Sequence, residues 1–214
     1  MTAATQRGKY IVIEGSDGTG KTTQADRLET YLSQRDIQVI HLKEPGGSPV
    51  SEAIRSVIVD GSLPRTPMTN LLLFTANRHE LWHEVIKPNL DRGVWVIATR
   101  NYWSSLVYQG YGEGMNLSVI EETTHAFTDK RYMKPDISVV LTLDNIATRQ
   151  KRVAARGSLT TPDTFESKDD GFQRRIHDGY EKVAAAYSIP TVDASRSIEQ
   201  VEVDIQALVE PYYP

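Results

Sequence analysis

Residues 9–24 read KYIVIEGSDGTGKTTQ: an apolar, β-branched run that ends in Glu14 and passes directly into a glycine-rich turn. Gly15, Ser16, Asp17, Gly18, Thr19, Gly20, Lys21 and Thr22 fit the pattern G-x-x-x-x-G-K-[ST], and Thr23 follows in the first turn of the next helix. Glycines let the backbone curl so that successive N–H groups face one phosphate, and the new helix adds the positive end of its dipole. Lys21 is placed to reach the β and γ phosphates, and the Thr22 hydroxyl suits Mg²⁺. The stretch predicts a loop that holds the phosphates of a nucleoside triphosphate.

Outward from that loop, strands and helices alternate. Branched apolar runs appear at YIVIE, IQVIHL, VWVIAT and DISVVLTL, with a weaker one at IPTVDA. Helical spacing occupies 21–34, 50–60, 67–91, 118–129, 146–156, 170–187 and 198–209. Strands that are apolar on both faces belong to a parallel sheet covered on each side, so the expected class is α/β, doubly wound. Thr66 before Pro67 reads as a helix start and Gly93 as a stop. RGSLTTPDTFESKDDG, poor in apolar residues, reads as a mobile loop inserted in a single domain spanning 1–214.

Composition narrows the function. With 24 basic against 28 acidic residues the net charge is −4, which argues against a nucleic-acid polymer as partner. A bound polyanion must then be met by a local cluster of cations. Cysteine is absent, which excludes disulfides, thiolate metal ligands and a cysteine nucleophile. No run reaches the roughly 18 apolar residues of a membrane span, and the first ten residues carry no signal core; a cytoplasmic protein is expected.

The phosphate loop alone does not name a reaction. An N-K-x-D segment of the kind that reads guanine in switch GTPases is missing, and a binding module without turnover stays open. KEPGGS (43–48), LFTANRHEL (73–81) and TRNYWSSLVYQG (99–110), in this order after EGSDGTGKTT, resemble thymidylate kinases of the bacterial type. KPDISVVLTLD and VDASRSIEQV are similar to that family as well, so the resemblance covers nearly the whole chain. It implies a P-loop fold of three layers, α/β/α, with a five-stranded parallel sheet and a lid at about 149–170. It further implies ATP-dependent, magnesium-assisted phosphorylation of dTMP to dTDP on the way to dTTP, and a homodimer.

Roles follow residue by residue from that resemblance. Phe74 and Arg78, four apart on one helix face, would stack on thymine and hydrogen-bond its O4. Taken singly, they equally suit a core ring and a surface cation. Arg100, just past the strand VWVIAT where open α/β sheets bind ligands, would hold the acceptor phosphate with a planar, permanently charged fork. Ser104, Ser105 and Gln109 would contact the nucleotide, and Tyr108 would crowd the sugar's 2′ position. Asp17 matches an acid that organises Mg²⁺, with a turn-forming aspartate as the competing reading. Lys43 and Glu44 match an Arg-Glu pair, lysine here giving a point charge instead of a fork.

Two departures stand out. Thr99 occupies the place of an aspartate that helps hold magnesium, which shifts that task toward Asp17 and Glu14. The lid lacks the arginine of the family's Asp-Arg-x-Glu run, and Gly18 offers no charge in its stead. Arg149, Arg152 and Arg156, three and four apart, are the remaining candidates to neutralise the transferred phosphoryl group; a solvated basic helix face fits the same spacing. A different class is also written in the chain: HELWH (79–83) is a literal H-E-x-x-H, the zinc hydrolase pattern, though no G-x-x-H follows it. Within the kinase reading, dUMP differs from dTMP by a single methyl group, and the sequence leaves that choice open.

Overall fold

The computed structural model describes residues 7–155, 164–165 and 168–213. Its five strands, β1 (Tyr10–Gly15), β2 (Val39–Lys43), β3 (Trp95–Thr99), β4 (Ile137–Thr142) and β5 (Thr191–Asp193), form one parallel sheet in the order β2-β3-β1-β4-β5. Neighbouring side chains of a strand point to opposite faces. Tyr10 and Val12 therefore join Val96, Ala98 and Val140 in one core, while Ile11 and Ile13 join Ile97, Val139 and Leu141 in the other. Every residue of β1 is buried, as its central place demands.

Helices α1 (Lys21–Ser33) and α10 (Ile198–Val209) cover the second core with Leu28, Leu32, Val201, Ile205 and Val209. Helices α2 (Pro49–Val59), α3 (Pro67–Leu81), α4 (Lys87–Asp91), α5 (Tyr102–Ser105), α6 (Leu117–Phe127), α7 (Lys130–Met133) and α9 (Asp170–Ala186) contribute to the first. α8 (Ile146–Ala154) follows β4. The pairs Ile13↔Thr99 and Gly15↔Leu141 set the ends of β3, β1 and β4 level, so the loops after β1 and β3 share one rim. Connections from β1 and β3 diverge there, which makes the rim the crevice where this class binds ligands. Among the described residues no helix is long and apolar enough to cross a membrane.

The expected strands and most helices are present, and Thr66 caps α3 by accepting from the Thr69 N–H at 3.2 Å. Three local expectations need correction. The helix expected over 67–91 is interrupted by a π-helical turn, Trp82–Ile86, in which the Lys87 N–H reaches back to the Trp82 carbonyl. Pro88 has no N–H to give and crowds the preceding turn, and the wider turn accommodates it. The stretch from Tyr102 to Gly112, read from sequence only as a motif, is a helix: α5 continues into a π-helical segment, Leu106–Gly112. It is buried on nearly all sides, so it shows no amphipathic period. α7 and a short 3₁₀ turn, Glu210–Tyr212, are too brief to show one. Residues 156–163 and 166–167 of the expected lid, Arg156 among them, lie outside the described residues.

α9 crosses the 102–112 helix at two glycines. A Cβ on Gly112 would come within 2.6 Å of the Phe172 ring and 2.8 Å of Ile176; one on Gly179 would meet Tyr111 and Val107 at 3.1–3.2 Å. This close approach carries Tyr180, one residue on, to the rim. Gly112→Val should destabilise the fold by about 1–3 kcal/mol through overpacking, read as a lowered urea midpoint, and Gly179→Val should lower it less.

Candidate active site

Between β1 and α1 the glycine-rich loop turns around the Lys21 ammonium, which donates to the carbonyls of Gly15 and Ser16, both at 2.8 Å. Thr19 Oγ1 closes the turn on the Ser16 carbonyl at 2.8 Å. Gly18 has φ 86°, and a Cβ there would stand 2.8 Å from the Arg149 carbonyl, so both its conformation and its neighbour require glycine. Thr22 and Thr23 are exposed in the first turn of α1. Arg149, 3% exposed, donates to Ser16 Oγ at 3.1 Å, and Arg152 reaches the carbonyls of Gly18 (3.4 Å) and Ala194 (3.2 Å). Arg149 is thus buried against the phosphate loop, whereas Arg152 touches the loop while staying exposed. Beside them a cavity of about 280 Å³ is lined by Gly20, Thr23, Gln24, Arg152 and Arg196.

Across the rim, Arg100 holds the loops together. Its Nη2 donates to Asp17 Oδ1 at 2.6 Å and to the Tyr108 hydroxyl at 3.3 Å; its Nη1 donates to the Tyr180 hydroxyl at 2.7 Å and to Ser104 Oγ and the Gly15 carbonyl, both at 3.2 Å. The backbone of Arg100 has φ 81°, a costly conformation for a side-chain-bearing residue that the surrounding bonds impose. Partial burial alone would raise the Asp17 pKa. The charges of Arg100 and Lys21 and the hydroxyl of Tyr108, 3.0 Å from Oδ2, outweigh it and hold the carboxyl well below the usual range. Burial opposes the Arg100 charge as well, but Asp17 beside it keeps its pKa above the ordinary value.

Glu14, Asn101, Tyr132 and Tyr180 are site residues that sequence reasoning did not assign to their observed roles. The Glu14 carboxylate, 1% exposed, accepts from the N–H groups of Asn101 (2.8 Å) and Ser104 (3.1 Å), from Ser104 Oγ and from the Tyr180 hydroxyl (3.1 Å). It anchors the start of α5 and so the segment that bears Ser104, Tyr108 and Gln109. An acid closing an otherwise apolar strand was the available signal. Thr99, by contrast, is 1% exposed and turns its hydroxyl to the Leu42 carbonyl.

Phe74 and Arg78 share a face of α3, with the guanidinium 5.4 Å from the ring centre. Arg78 is buried: Nε donates to Glu44 Oε2 at 3.2 Å, Nη1 to Ser105 Oγ at 2.8 Å and Nη2 to the Asn101 carbonyl at 2.9 Å. The Tyr132 hydroxyl donates to Glu44 from below at 2.7 Å. Gln109 is fully buried; its amide NH₂ donates to Glu113 at 3.3 Å, which fixes the amide's orientation and leaves Oε1 as a buried acceptor with no partner. Lys43 is exposed on edge strand β2, where it lines a cavity of about 460 Å³ with His41, Glu52 and Arg55.

The zinc pattern does not assemble. His79 Nδ1 donates to the Phe127 carbonyl at 2.7 Å, and His83 falls in the π-helical turn. Among the described residues, neither of the two groups of three side chains close enough to share an ion contains His79, Glu80 or His83. Mg²⁺ needs only one or two protein oxygens beside phosphates and water. A permanently ionised Asp17 and the exposed Thr22 hydroxyl fit that requirement.

Burial pushes the Glu44 carboxyl up to about 7, against the lowering effects of Arg78 and the Tyr132 hydroxyl. The folded state therefore binds this proton more tightly than the unfolded chain. Glu44 contributes stability that is complete below about pH 4.5 and is lost as pH rises through about 7. Urea unfolding across that window should show stability falling by at most about 1.4 kcal/mol per pH unit from this group, and Glu44→Gln should remove that slope.

Comparison with known proteins agrees with this geometry. The family model described as Thymidylate kinase matches residues 13–205. The thymidylate kinase of Carboxydothermus hydrogenoformans is 35% identical over 204 residues, covering 95% of this chain and 98% of its own. That of Deinococcus radiodurans is 37% identical over 205 residues, covering 95% and 97%. The crystal structure of thymidylate kinase from Ehrlichia chaffeensis superposes with a TM-score of 0.75 at 27% identity, covering 95% of this chain and 99% of that one. With a phosphate loop, an arginine hub at the switch point and an aromatic–arginine pair on α3 in one continuous rim, the chain belongs to the thymidylate kinase family.

Proposed function

We propose that the chain transfers the γ-phosphoryl group of ATP to dTMP, giving dTDP, in one kinase domain over 1–214 by direct in-line displacement. The observation that carries this reading is the bond between Arg100 and Asp17: the acceptor-side arginine and the phosphate loop are joined at 2.6 Å, so two nucleotides bound to them meet end to end. ATP phosphates lie in the Gly15–Thr22 curl under Lys21, with the adenosine toward the cavity between Arg152 and Arg196. Thymine stacks on Phe74, and the unpartnered Gln109 Oε1 accepts its N3–H, a contact that cytosine's N3 cannot supply. Arg78 turns one of its remaining N–H groups to O4, and Tyr108 closes on the 2′ carbon.

Arg100 fixes the acceptor phosphate, and Lys21, Arg149 and Arg152 neutralise the transferred group. Mg²⁺, held through Thr22 and Asp17, supplies further neutralisation of the phosphate oxygens when bound. The acceptor needs no general base, since a phosphate monoester is already anionic near neutral pH. Exposed Val50, Met68, Leu72 and Phe127 extend over α2, α3 and α6 and support a homodimer formed through this face. We place the protein in the cytoplasm.

An ATP-consumption assay across nucleoside monophosphates tests the reading: dTMP should be preferred and thymidine's ribonucleotide counterpart should be poor. If dTMP gives no turnover where another monophosphate does, the assignment of the acceptor is wrong. Arg100→Ala should cut kcat/KM for dTMP by about 10²–10³. Leu72→Asp should shift the protein toward monomer in sedimentation.

A further inference from the structure

Phe165 stands among the rings given to the nucleoside. Its centroid lies 6.1 Å from Phe74 at a 37° tilt and 5.5 Å from Tyr108, edge to face at 81°, while its other side stacks on Phe172 at 6.5 Å. Carbon atoms in contact lie about 3.5–4 Å apart, so a base between two rings holds them about 7–8 Å apart. The spacing of Phe74 and Phe165 leaves no such layer.

The ring is held there by its neighbours. Thr164 Oγ1 donates to the Ile58 carbonyl at 2.9 Å and accepts from Arg65 Nη2 at 2.8 Å. Arg65 Nη2 also donates to that Ile58 carbonyl at 2.7 Å, which makes the corner between α2 and α3 a clamp. The Phe165 carbonyl accepts from Gln173 Nε2 at 2.9 Å and from the Lys168 N–H at 3.3 Å. Lys168 pairs with Glu113 at 2.8 Å, and Glu113 also accepts from Gln109. One acid therefore links the stretch bearing Phe165 to the side chain that faces the base.

We propose that Phe165 is a plug: its ring fills the space between Phe74 and Tyr108 that the pyrimidine deoxynucleoside takes, and the acceptor must displace it. This rests on the reading of Phe74 and Tyr108 as walls of the acceptor pocket. Acceptor affinity is then reduced by the fraction of molecules in which the plug is out, and the Thr164 clamp sets that fraction.

Calorimetric titration with dTMP tests it. Phe165→Ala should tighten dTMP binding about three- to tenfold, and Thr164→Val, which keeps the shape but loses both clamp bonds, should tighten it by a smaller factor. ATP affinity should change by less than about twofold in either. In the wild type, exchange of the Lys168 amide hydrogen should quicken on adding dTMP, as its bond to the Phe165 carbonyl is released. Unchanged or weaker dTMP binding in a folded variant overturns the plug and makes Phe165 a wall that stacks on bound nucleotide. If Phe165→Ala unfolds early, Thr164→Val and the amide measurement decide. A wild type that binds no dTMP sinks the acceptor assignment itself, whereas a wild type that binds it beside variants that do not tighten sinks the plug alone.

Discussion

The guanidinium of Arg100 is the joint on which the site is built. It reaches a phosphate-loop carbonyl, the acid inside that loop, two tyrosine hydroxyls and a serine, and its own backbone is bent into the left-handed region to do so. A residue in that conformation is costly, and it persists because several rigid neighbours determine it at once. These neighbours come from three elements: the end of β1 with the loop after it, the helix 102–112 and α9. A fork with several fixed donors can satisfy that many directions, and an ammonium cannot. The phosphate loop, the helix 102–112 and α9 are thereby tied at one point.

Beneath this joint lie two buried acids with different fates. Glu14 is bonded by backbone N–H groups and hydroxyls, which fixes the first turn of α5 without a cationic partner at hydrogen-bond distance. Glu44 is paired with Arg78 at 3.2 Å, both side chains being 3% exposed. Breaking such a pair leaves an uncompensated charge, at a cost of about 3–5 kcal/mol, so the pair specifies where Arg78 points more than it adds stability. Ser105 and the Asn101 carbonyl complete that orientation, and Phe74 lies over the guanidinium. The helix face that would meet a base is rigid for reasons that have nothing to do with the base.

Much of this was legible in the sequence, and the limits follow a pattern. The sheet was readable because both-sided burial makes strands uniformly apolar, and the phosphate loop because glycines and lysine sit at fixed offsets. Phe74, Arg78 and Arg100 came from ordered resemblance, and the structure sets them on one rim. The helix over 102–112 stayed hidden since a segment buried on nearly all sides has no polar face to give it a period. Tyr180, Tyr132 and Asn101 were invisible for a related reason: each acts through a partner far away in the chain, Glu14 at a separation of 166 residues for Tyr180 and Glu44 at 88 for Tyr132. Thr99 reads from sequence as a weakened magnesium site, yet its hydroxyl donates to the Leu42 carbonyl of the neighbouring strand, where an aspartate would set a carboxylate against a carbonyl oxygen.

Charge distribution resolves an apparent contradiction in the composition. A chain with net charge −4 is predisposed to repel ATP and dTMP alike. Lys21, Arg100, Arg149 and Arg152 nevertheless all make contact with residues 15–18, against Asp17 within the loop and Glu14 directly before it. Three of these cations also donate to carbonyl oxygens of the loop itself, which are neutral acceptors. One carboxylate, that of Asp17, is shared by Arg100 at 2.6 Å and Lys21 at 3.9 Å. Four cations against two acids leave the excess positive at the phosphate loop, in a chain whose net charge is −4. Such an arrangement favours small, highly charged anions that fit the curl over long polyanions that would have to cross the rest of the surface.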